Sequence, residues 1–288
     1  MKLPSGSVLL PSGAALDFSG PALVMAIVNC NEDSFYAPSR ALGERAVEKA
    51  LAAEIEGAAI VDFGAESSRP LSSYISEEEE LARLIPVIAA FRKRSSLPVS
   101  VDTRKSSVAR AAIDSGADII NDISALSDDP RMADVCAEKS AAVVLMHKKG
   151  EPLTMQENPS YSNLAEEISA FFKDSVKRAL AAGIPPERII LDPGIGFGKS
   201  LKDNLRIIRL LAEICGNDYP VLVGLSRKSF IGEITGRGTE DRLPGTLAAN
   251  ASAILAGADI IRVHDVKEHV DLTRVLFSIK ESNNGMDS

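Results

Sequence analysis

The stretch Ile189-Ile190-Leu191-Asp192-Pro193-Gly194-Ile195-Gly196-Phe197-Gly198-Lys199-Ser200 decides the fold of this chain. Three apolar residues, two of them β-branched, are typical of a short buried strand. A carboxylate ends the strand, and a loop with three glycines, an aromatic residue and a lysine follows. Glycine is used where a backbone turns sharply or approaches a ligand closely, because it has no Cβ atom. The pattern predicts either a strand that ends in a structural turn or a strand end whose carboxylate grips a planar, nitrogen-rich ligand.

The same design recurs along the whole chain, with short apolar strands alternating with helical patterns. Strands are predicted at about residues 22–28, 58–62, 98–101, 118–121, 142–146, 188–191, 220–223 and 259–263. Helices are predicted near residues 43–56, 77–93, 105–115, 129–138, 161–182, 202–214, 240–256 and 266–280. Strict alternation favours a parallel sheet, and eight strand–helix pairs are the number that closes a (β/α)8 barrel.

The fold class is therefore predicted as α/β, with a single (β/α)8 TIM barrel and an N-terminal β-hairpin. Residues 1–20 are predicted to form that hairpin and to cover the bottom of the barrel. Residues 21–282 are predicted to form the barrel, and residues 283–288 a disordered tail. No linker and no shift in composition marks a second domain.

Composition excludes several functional classes. The chain has 288 residues, of which 45% are hydrophobic, 5% are aromatic and none is tryptophan, so its core must be mostly Ala, Ile, Leu and Val. A net charge of -8 argues against a protein that coats nucleic acid or a membrane. Three widely spaced cysteines suit a reducing compartment and neither a disulfide framework nor a zinc site. Without a signal peptide or a long apolar run, a soluble cytoplasmic protein is expected.

Polar residues follow almost every predicted strand, where the active sites of barrels lie. In chain order they are Asn29, Asp62, Asp102, Asn121 with Asp122, His147, Asp192, Ser226-Arg227-Lys228, and Arg262 with His264. Asp62 and Asp122 are each as compatible with a structural role as with a role in ligand binding. His147 is expected to be a capping or pocket residue, and His269 to lie on a helix surface. All eight positions together, however, predict a binding site rather than a set of turns.

Two chemical groups are present among these side chains. The acceptors suited to the edge of a guanidine-like heterocycle are Asp102, Asn121 and Asp192. The donors suited to a phosphate are Asn29, Arg69, Ser226, Arg262 and His264. Lys228-Ser229-Phe230-Ile231 is expected to begin a short extra helix after the seventh strand, a region where barrels often bind phosphate. A heterocycle that carries a phosphate ester is the ligand that these residues predict.

The same residues resemble the dihydropteroate synthase family of pterin-binding TIM barrels. The motifs that carry the resemblance are Ile27-Val28-Asn29, Asp33-Ser34-Phe35, Asp62-Phe63-Gly64-Ala65-Glu66-Ser67-Ser68-Arg69-Pro70, Val101-Asp102-Thr103, Ile119-Ile120-Asn121-Asp122, Leu145-Met146-His147, Leu191 to Lys199, Gly224-Leu225-Ser226-Arg227-Lys228-Ser229 and Ile261-Arg262-Val263-His264-Asp265. They run in order from about residue 16 to residue 280, and all eight strand ends are represented.

The resemblance implies a transferase of folate biosynthesis. The amine of p-aminobenzoate would displace pyrophosphate from 6-hydroxymethyl-7,8-dihydropterin diphosphate, giving 7,8-dihydropteroate. Asp102, Lys228, Arg262 and His264 would be catalytic. The pterin would bind Asp102, Asn121, Met146, Asp192 and Lys228. The diphosphate would bind Asn29, Ser68, Arg69, Arg262 and His264. The p-aminobenzoate would bind Ser68, Arg69, Pro70, Phe197, Lys228 and Ser229.

The resemblance also implies a Mg²⁺ ion, held by Asn29 together with the diphosphate, and a homodimer formed through late barrel helices. The chain departs from the family pattern in its first loop, where Asn31-Glu32 stands in place of Thr-Pro. Losing the proline removes a φ constraint, and Glu32 adds charge near the expected diphosphate. Ser68 and Leu71 replace Thr and Gly of the second loop.

Two alternatives belong to other classes. A methyltetrahydrofolate-binding methyltransferase shares the barrel and the pterin-facing carboxylates, but it needs no diphosphate site such as Arg262 with His264. A pterin-binding paralogue without catalysis is the second alternative, suggested by the altered first loop.

Overall fold

In the computed structural model, eight parallel strands form the barrel that the sequence predicts. The structure describes residues 7–30, 39–65, 75–150, 155 and 159–282. The strands are β1 (Ser7–Leu9), β2 (Ala15–Asp17), β3 (Leu23–Asn29), β4 (Ile60–Gly64), β5 (Val99–Asp102), β6 (Ile119–Asp122), β7 (Ala142–Met146), β8 (Ile189–Asp192), β9 (Leu222–Val223) and β10 (Ile260–Val263). Each of the eight barrel strands lies within two residues of its predicted position.

The helices surround this barrel. They are α1 (Ser39–Ile55), α2 (Glu77–Arg92), α3 (Ser106–Asp114), α4 (Met132–Glu138), α5 (Leu164–Ala181), α6 (Leu201–Arg209), α7 (Leu211–Cys215), α8 (Ser229–Thr235), α9 (Leu243–Leu255) and α10 (Val266–Ser282). The helix predicted over residues 202–214 is divided at Leu210, and the short extra helix after the seventh barrel strand is present as α8. In the described part of the chain, no helix is both long and apolar enough to cross a bilayer.

The barrel closes between β8 and β9. The sheet runs in the order β8-β7-β6-β5-β4-β3-β10-β9. Leu191 forms a parallel bridge with Val221, and its N–H donates to the carbonyl of Pro220 at 2.9 Å. The eight strand ends are therefore brought together around one mouth, as the function of a barrel requires.

The predicted hairpin is present as β1 and β2, and it packs against the bottom of the barrel. Its buried side chains Val8, Leu10 and Leu16 pack into one apolar cluster with residues at the starts of the barrel strands. That cluster also contains Met25, Ile60, Ile119, Ala142, Val144, Ile190, Leu222 and Ile260. Because the lower interior is filled with apolar side chains in the described part of the chain, the upper mouth is the end suited to a polar ligand. Residues 283–288, predicted to be a disordered tail, lie outside the described residues.

Candidate active site

The polar residues of the barrel interior stand directly above the apolar bottom layer. Successive side chains of a strand point to opposite faces, so residues two positions after an inward-facing residue also face inward. Ile60, Ile119, Val144, Ile190 and Ile260 face the interior in the bottom layer. The residues two positions after them are Asp62, Asn121, Met146, Asp192 and Arg262. The predicted pterin and diphosphate residues on these strands therefore converge on one mouth.

Arg262 is fixed between two carboxylates of neighbouring strands. Its Nε donates to Asp62 Oδ2 at 2.6 Å, and one terminal nitrogen donates to Asp102 Oδ2 at 3.1 Å. Asn121 Nδ2 donates to the same Asp62 oxygen at 3.4 Å. The Arg262 side chain keeps 20% of its surface exposed, whereas Asp62 is fully buried. Asp62 thus holds the guanidinium from below, and Arg262 joins it to Asp102 at the mouth.

Asp192 is oriented by the turn that follows it. The N–H of Gly194 donates to Asp192 Oδ1 at 2.7 Å, which leaves Oδ2 as the oxygen available to a ligand. The residue is only 6% exposed. Burial raises the pKa of this carboxyl, and the nearby Lys228 ammonium opposes that shift. Asp192 therefore offers a desolvated acceptor with a cation close by, which suits an N–H-rich heterocycle edge.

Lys228 lies between Asp192 and Phe197. It is partly buried, its Nζ donates to the carbonyl of Ile195, and the same nitrogen stands 4.8 Å from the centre of the Phe197 ring. Burial lowers the pKa of Lys228 to about 8, against the opposing effect of the Asp192 charge. One ammonium thus reaches both the predicted pterin side and the predicted aminobenzoate side. Ser229 follows it as an exposed residue at the start of α8.

Arg227 is a structural residue of the same loop. Its backbone has a φ of 55°, a left-handed conformation unusual for a residue with a side chain. Its N–H donates to Thr246 Oγ1 at 3.1 Å, and its guanidinium donates to both Asp265 oxygens at 2.9 and 2.6 Å. These bonds tie the loop after β9 to the loop after β10. Ser226 and Lys228 are thereby held at the mouth.

Ser226 and His264 form a second link between those two loops. Ser226 Oγ lies 2.9 Å from His264 Nδ1, and it accepts the His264 backbone N–H at 3.2 Å. The imidazole is therefore held in place on the β10 side of the mouth. Asn29 is the exposed last residue of β3, the strand that pairs with β10.

Asp122 faces away from the mouth, although it also ends a strand. Its oxygens accept from Ser124 N at 2.8 Å, Ser124 Oγ at 2.7 Å and Leu126 N at 2.7 Å. The side chain is fully buried, and burial raises its pKa while these hydrogen bonds lower it. Of the two roles open to Asp122 from the sequence, the structural one is correct.

The prediction for His269 is wrong. It was expected on a helix surface, yet it is fully buried. Its Nδ1 lies 2.6 Å from the carbonyl of Asp265, and Asn250 Nδ2 lies 3.0 Å from its Nε2. The signal was present in the sequence, because Val266 and Val270 flank the same face of α10 at helical spacing.

His147 is buried just after β7, where its Nδ1 lies 2.9 Å from Nζ of the buried Lys199. Lys199 was quoted in the sequence pattern but given no role.

Part of the predicted site lies outside the described residues. Ser68, Arg69 and Pro70 belong to the second loop, and Asn31-Glu32 belong to the first. Their predicted roles stay predictions.

Gly194 is a position where an added methyl group is expected to disrupt the site. Its φ is +64°, and a Cβ would stand 2.0 Å from the carbonyl oxygen of His147. Gly194→Ala should lower the free energy of unfolding by at least about 2 kcal/mol, because it adds a backbone clash to left-handed strain of about 1–2 kcal/mol. Gly236→Ala is the matched control, with a φ of +70° and open space around the added carbon. Equal losses for both variants in denaturant titrations would contradict the close loop contact.

The sequence and the fold are both similar to those of known proteins. Residues 25–264 match the family model described as pterin binding enzyme. The dihydropteroate synthase of Escherichia coli K12 is 44% identical over 270 residues, covering 93% of this chain and 95% of the relative.

Solved structures agree with this relationship. A Xanthomonas albilineans dihydropteroate synthase with 4-aminobenzoic acid superimposes with a TM-score of 0.87 and 39% identity, covering 98% of this chain and 99% of that one. A Burkholderia cenocepacia dihydropteroate synthase complexed with 7,8-dihydropteroate gives a TM-score of 0.87 and 34% identity, covering 96% and 98%.

Proposed function

This chain belongs to the family of pterin-binding enzymes and is a transferase of the dihydropteroate synthase type, and from that premise we propose which residues carry each part of the reaction. The reaction condenses 6-hydroxymethyl-7,8-dihydropterin diphosphate with p-aminobenzoate, and it yields 7,8-dihydropteroate and pyrophosphate. The observation that carries the residue assignment is the position of Arg262 across Asp62 and Asp102.

The pterin binds among Asp102, Asn121, Met146, Asp192 and Lys228. Asp192 Oδ2 accepts from the adjacent N–H donors of the ring, since its other oxygen is taken by Gly194. Met146 lies beside Asp192 in the register of the sheet and offers an apolar, polarisable contact to the flat ring. The burial of Asp192 strengthens each of its charge-assisted hydrogen bonds.

The diphosphate binds at Asn29, Arg262 and His264, with Ser68 and Arg69 of the second loop. Arg262 already has its Nε and one terminal nitrogen engaged, so the phosphate oxygens meet the rest of a guanidinium whose position is fixed. A guanidinium in a fixed orientation is well matched to phosphate geometry. His264 is set beside it by Ser226.

The residues at the mouth fit a Mg²⁺ ion that is held mainly by the diphosphate. Mg²⁺ keeps several waters and takes few protein oxygens beside substrate phosphates. Among the described residues, no three His, Cys, Asp or Glu side chains converge as an all-protein metal site would require. The amide oxygen of Asn29 is a suitable hard ligand at the end of β3. A bound Mg²⁺ would neutralise charge on the leaving group.

The p-aminobenzoate binds against Phe197, Lys228 and Ser229, together with Ser68, Arg69 and Pro70 of the second loop. The Phe197 ring offers an apolar face, and the Lys228 ammonium close to it attracts the carboxylate end of the substrate. An aniline nitrogen is an uncharged nucleophile at neutral pH, so the amine attacks without a strong general base. The proton that it loses once the C–N bond has formed passes to water or to the leaving pyrophosphate.

The chemistry separates charge along the line from Asp102 to Arg262. As the bond to the diphosphate breaks, positive charge develops on the pterin and is stabilised by the Asp102 carboxylate. Negative charge develops on the leaving pyrophosphate and is taken up by Arg262 and His264. Because Arg262 and Asp102 are bonded to each other before the substrate arrives, the site needs little reorganisation.

Pyrophosphate release, measured with and without p-aminobenzoate, tests this function. The synthase reaction requires release that depends on p-aminobenzoate and a product with the mass of 7,8-dihydropteroate. A methyltransferase or a non-catalytic pterin-binding protein would show no such dependence, and that result would overturn the assignment.

The pH dependence of the reaction should follow Lys228. Its pKa of about 8 means that the ammonium beside Asp192 is lost as the pH rises. We expect kcat/KM for the pterin substrate to fall toward a tenfold loss per pH unit above about pH 8. Lys228→Arg should remove that limb of the profile, because a guanidinium stays charged there. An unchanged limb in Lys228→Arg would assign the titration to another group.

A second copy of this chain is proposed to cover an apolar groove on the outside of the barrel. The groove has a volume of about 810 Å³ and is formed by α6, α8 and α9. Leu205, Ile234 and Leu255 line it with 44%, 55% and 76% of their surface exposed. Burial of such side chains against a second copy would remove apolar surface from water. The resemblance to the family likewise favours a homodimer through late helices.

The mass in solution tests this homodimer. Ile234→Glu should convert the dimer into a monomer in light scattering, because a charge would be buried in the contact. Ile55→Glu is the control, since Ile55 is 87% exposed on α1, an early helix outside the groove. A monomeric wild-type protein, or a dimer that survives Ile234→Glu, would contradict the proposal. We also propose a cytoplasmic location, which the three buried free cysteines favour.

A further inference from the structure

Lys199 is a buried lysine that the proposed reaction does not use. It ends the loop after β8 and is 2% exposed. Its Nζ lies 2.9 Å from His147 Nδ1, and it donates to the carbonyls of His147 at 3.2 Å and Phe197 at 3.0 Å. An ammonium has three donors, so these three acceptors satisfy it completely. Lysine is almost never fully buried without such partners.

The three acceptors belong to two different loops. His147 begins the loop after β7, and Phe197 belongs to the loop after β8. The two backbones are in close contact, because a Cβ on Gly194 would meet the His147 oxygen at 2.0 Å and one on Gly198 would meet the Lys149 oxygen at 2.1 Å. Lys199 thus links two loops whose backbones already pack against each other.

Each remaining part of this region is also fixed. The N–H of Gly196 donates to Asn204 Oδ1 at 2.8 Å, and Tyr161 Oη donates to the Gly198 carbonyl at 2.9 Å. The His147 ring packs edge-on against Phe171 at 4.8 Å between centroids. Lys199 therefore connects Phe197 to a rigid framework rather than to another mobile segment.

Burial and the neighbouring Asp192 charge act in opposite directions on the pKa of the Lys199 ammonium. Burial lowers the pKa of its ammonium to about 7, and the Asp192 carboxylate opposes this shift while Lys228 adds to it. Burial also lowers the pKa of His147 to about 2, so its imidazole is neutral and its Nδ1 accepts from the ammonium. A buried lysine whose ammonium bonds His147 and Phe197 of two loops points to a positioning role.

We propose that Lys199 is a positioning residue for the aromatic amine: it fixes the Phe197 segment against His147 and so sets the surface on which p-aminobenzoate binds. This inference rests on the proposed function. The pterin side depends on it less, because Asp192 is oriented by its own bond to Gly194. Loss of the Lys199 side chain should therefore weaken the binding of p-aminobenzoate more than the binding of the pterin.

The first test is steady-state kinetics of Lys199→Met, which keeps the length of the side chain and removes its donors. The KM for p-aminobenzoate should rise about tenfold. The Kd for 6-hydroxymethylpterin, measured by calorimetry, should change less than threefold. Lys149→Met is the control, because Lys149 lies in the same region but bonds the exposed Glu167 and the Ser160 carbonyl. Equal losses for both ligands, or an unchanged KM, would overturn the proposal.

The second test needs no activity. The chain has no tryptophan, so Phe197→Trp creates a single fluorescent reporter at the proposed surface. In that background, Lys199→Met should raise the acrylamide quenching constant at least twofold, while Lys149→Met should not. An unchanged constant would contradict the positioning role. Altered quenching in an enzyme that shows no release dependent on p-aminobenzoate would instead remove the proposed function and leave the loop contact standing.

If Lys199→Met is not recovered folded, His147→Leu tests the same link by removing only the Nδ1 acceptor. It should raise the KM for p-aminobenzoate in the same direction and by a smaller factor. A larger change in pterin affinity than in this KM would overturn the proposal.

Discussion

Arg262→Met should lose at least about 1000-fold in kcat/KM for the pterin diphosphate substrate, a loss of about 4 kcal/mol in transition-state stabilisation. Among the described residues, Arg262 provides the cation that forms an ion pair with the fully buried Asp62. Its removal takes away the donor for the leaving pyrophosphate and breaks the ion pairs with Asp62 and Asp102. Breaking a buried pair in this way costs about 3–5 kcal/mol, so stability should fall as well.

The double variant Asp62→Asn with Arg262→Met separates these two effects. It removes the uncompensated charge, so most of the lost stability should return while the activity should not. Arg110→Met is the control, because Arg110 binds both oxygens of Glu138 on the protein surface. Stability is measured by denaturant titration and activity by pyrophosphate release. Recovery of activity in the double variant would show that Arg262 only neutralises Asp62.

The fold was predictable because its signal is local and repeated. Each barrel strand is a short apolar run next to a helical pattern, and the order of these units fixes a parallel barrel. The hairpin was equally clear, since Val8, Leu10 and Leu16 surround a Pro-Ser-Gly turn. These features depend on neighbouring residues, which a sequence displays directly.

It was harder to predict whether an individual side chain points into the barrel or toward the helices. Barrel strands are buried on both faces, so their sequences are continuously apolar and show no alternation. Asn121 and Asp122 are adjacent, and only the register of β6 places the amide at the mouth and the carboxylate behind it. The sequence identified both as strand-end residues and assigned Asn121 to the ligand, but it left Asp122 with two possible roles.

Hydrogen bonds and ion pairs between residues that are distant in the chain could not be predicted either. Arg262 was assigned to the diphosphate, yet its bonds to Asp62 and Asp102 span 200 and 160 residues. The link between His147 and Lys199 spans 52 residues. Such pairs follow from the closure of the barrel and not from local pattern. The chemical types at the strand ends were therefore predictable, while the network that orients them was not.

Asp192→Asn should weaken pterin binding by about 2–4 kcal/mol, roughly 30- to 700-fold in Kd. The N–H of Gly194 donates to Oδ1 at 2.7 Å, so an asparagine would place its own oxygen there. Its NH₂ group would then face the ligand, where the pterin also presents N–H donors. The variant thus loses an acceptor, loses the charge assistance of the bond, and opposes one donor with another.

Asp122→Asn provides the matched control for this prediction. Asp122 is equally buried and also ends a strand, but it accepts from Ser124 and Leu126 behind the barrel wall. Its amide variant should lose stability through those hydrogen bonds and keep its pterin affinity within about threefold. Calorimetry with 6-hydroxymethylpterin measures both affinities, and denaturant titration measures both stabilities. A change of less than threefold for Asp192→Asn, or an equal loss of affinity in both variants, would show that the β8 carboxylate does not hold the pterin.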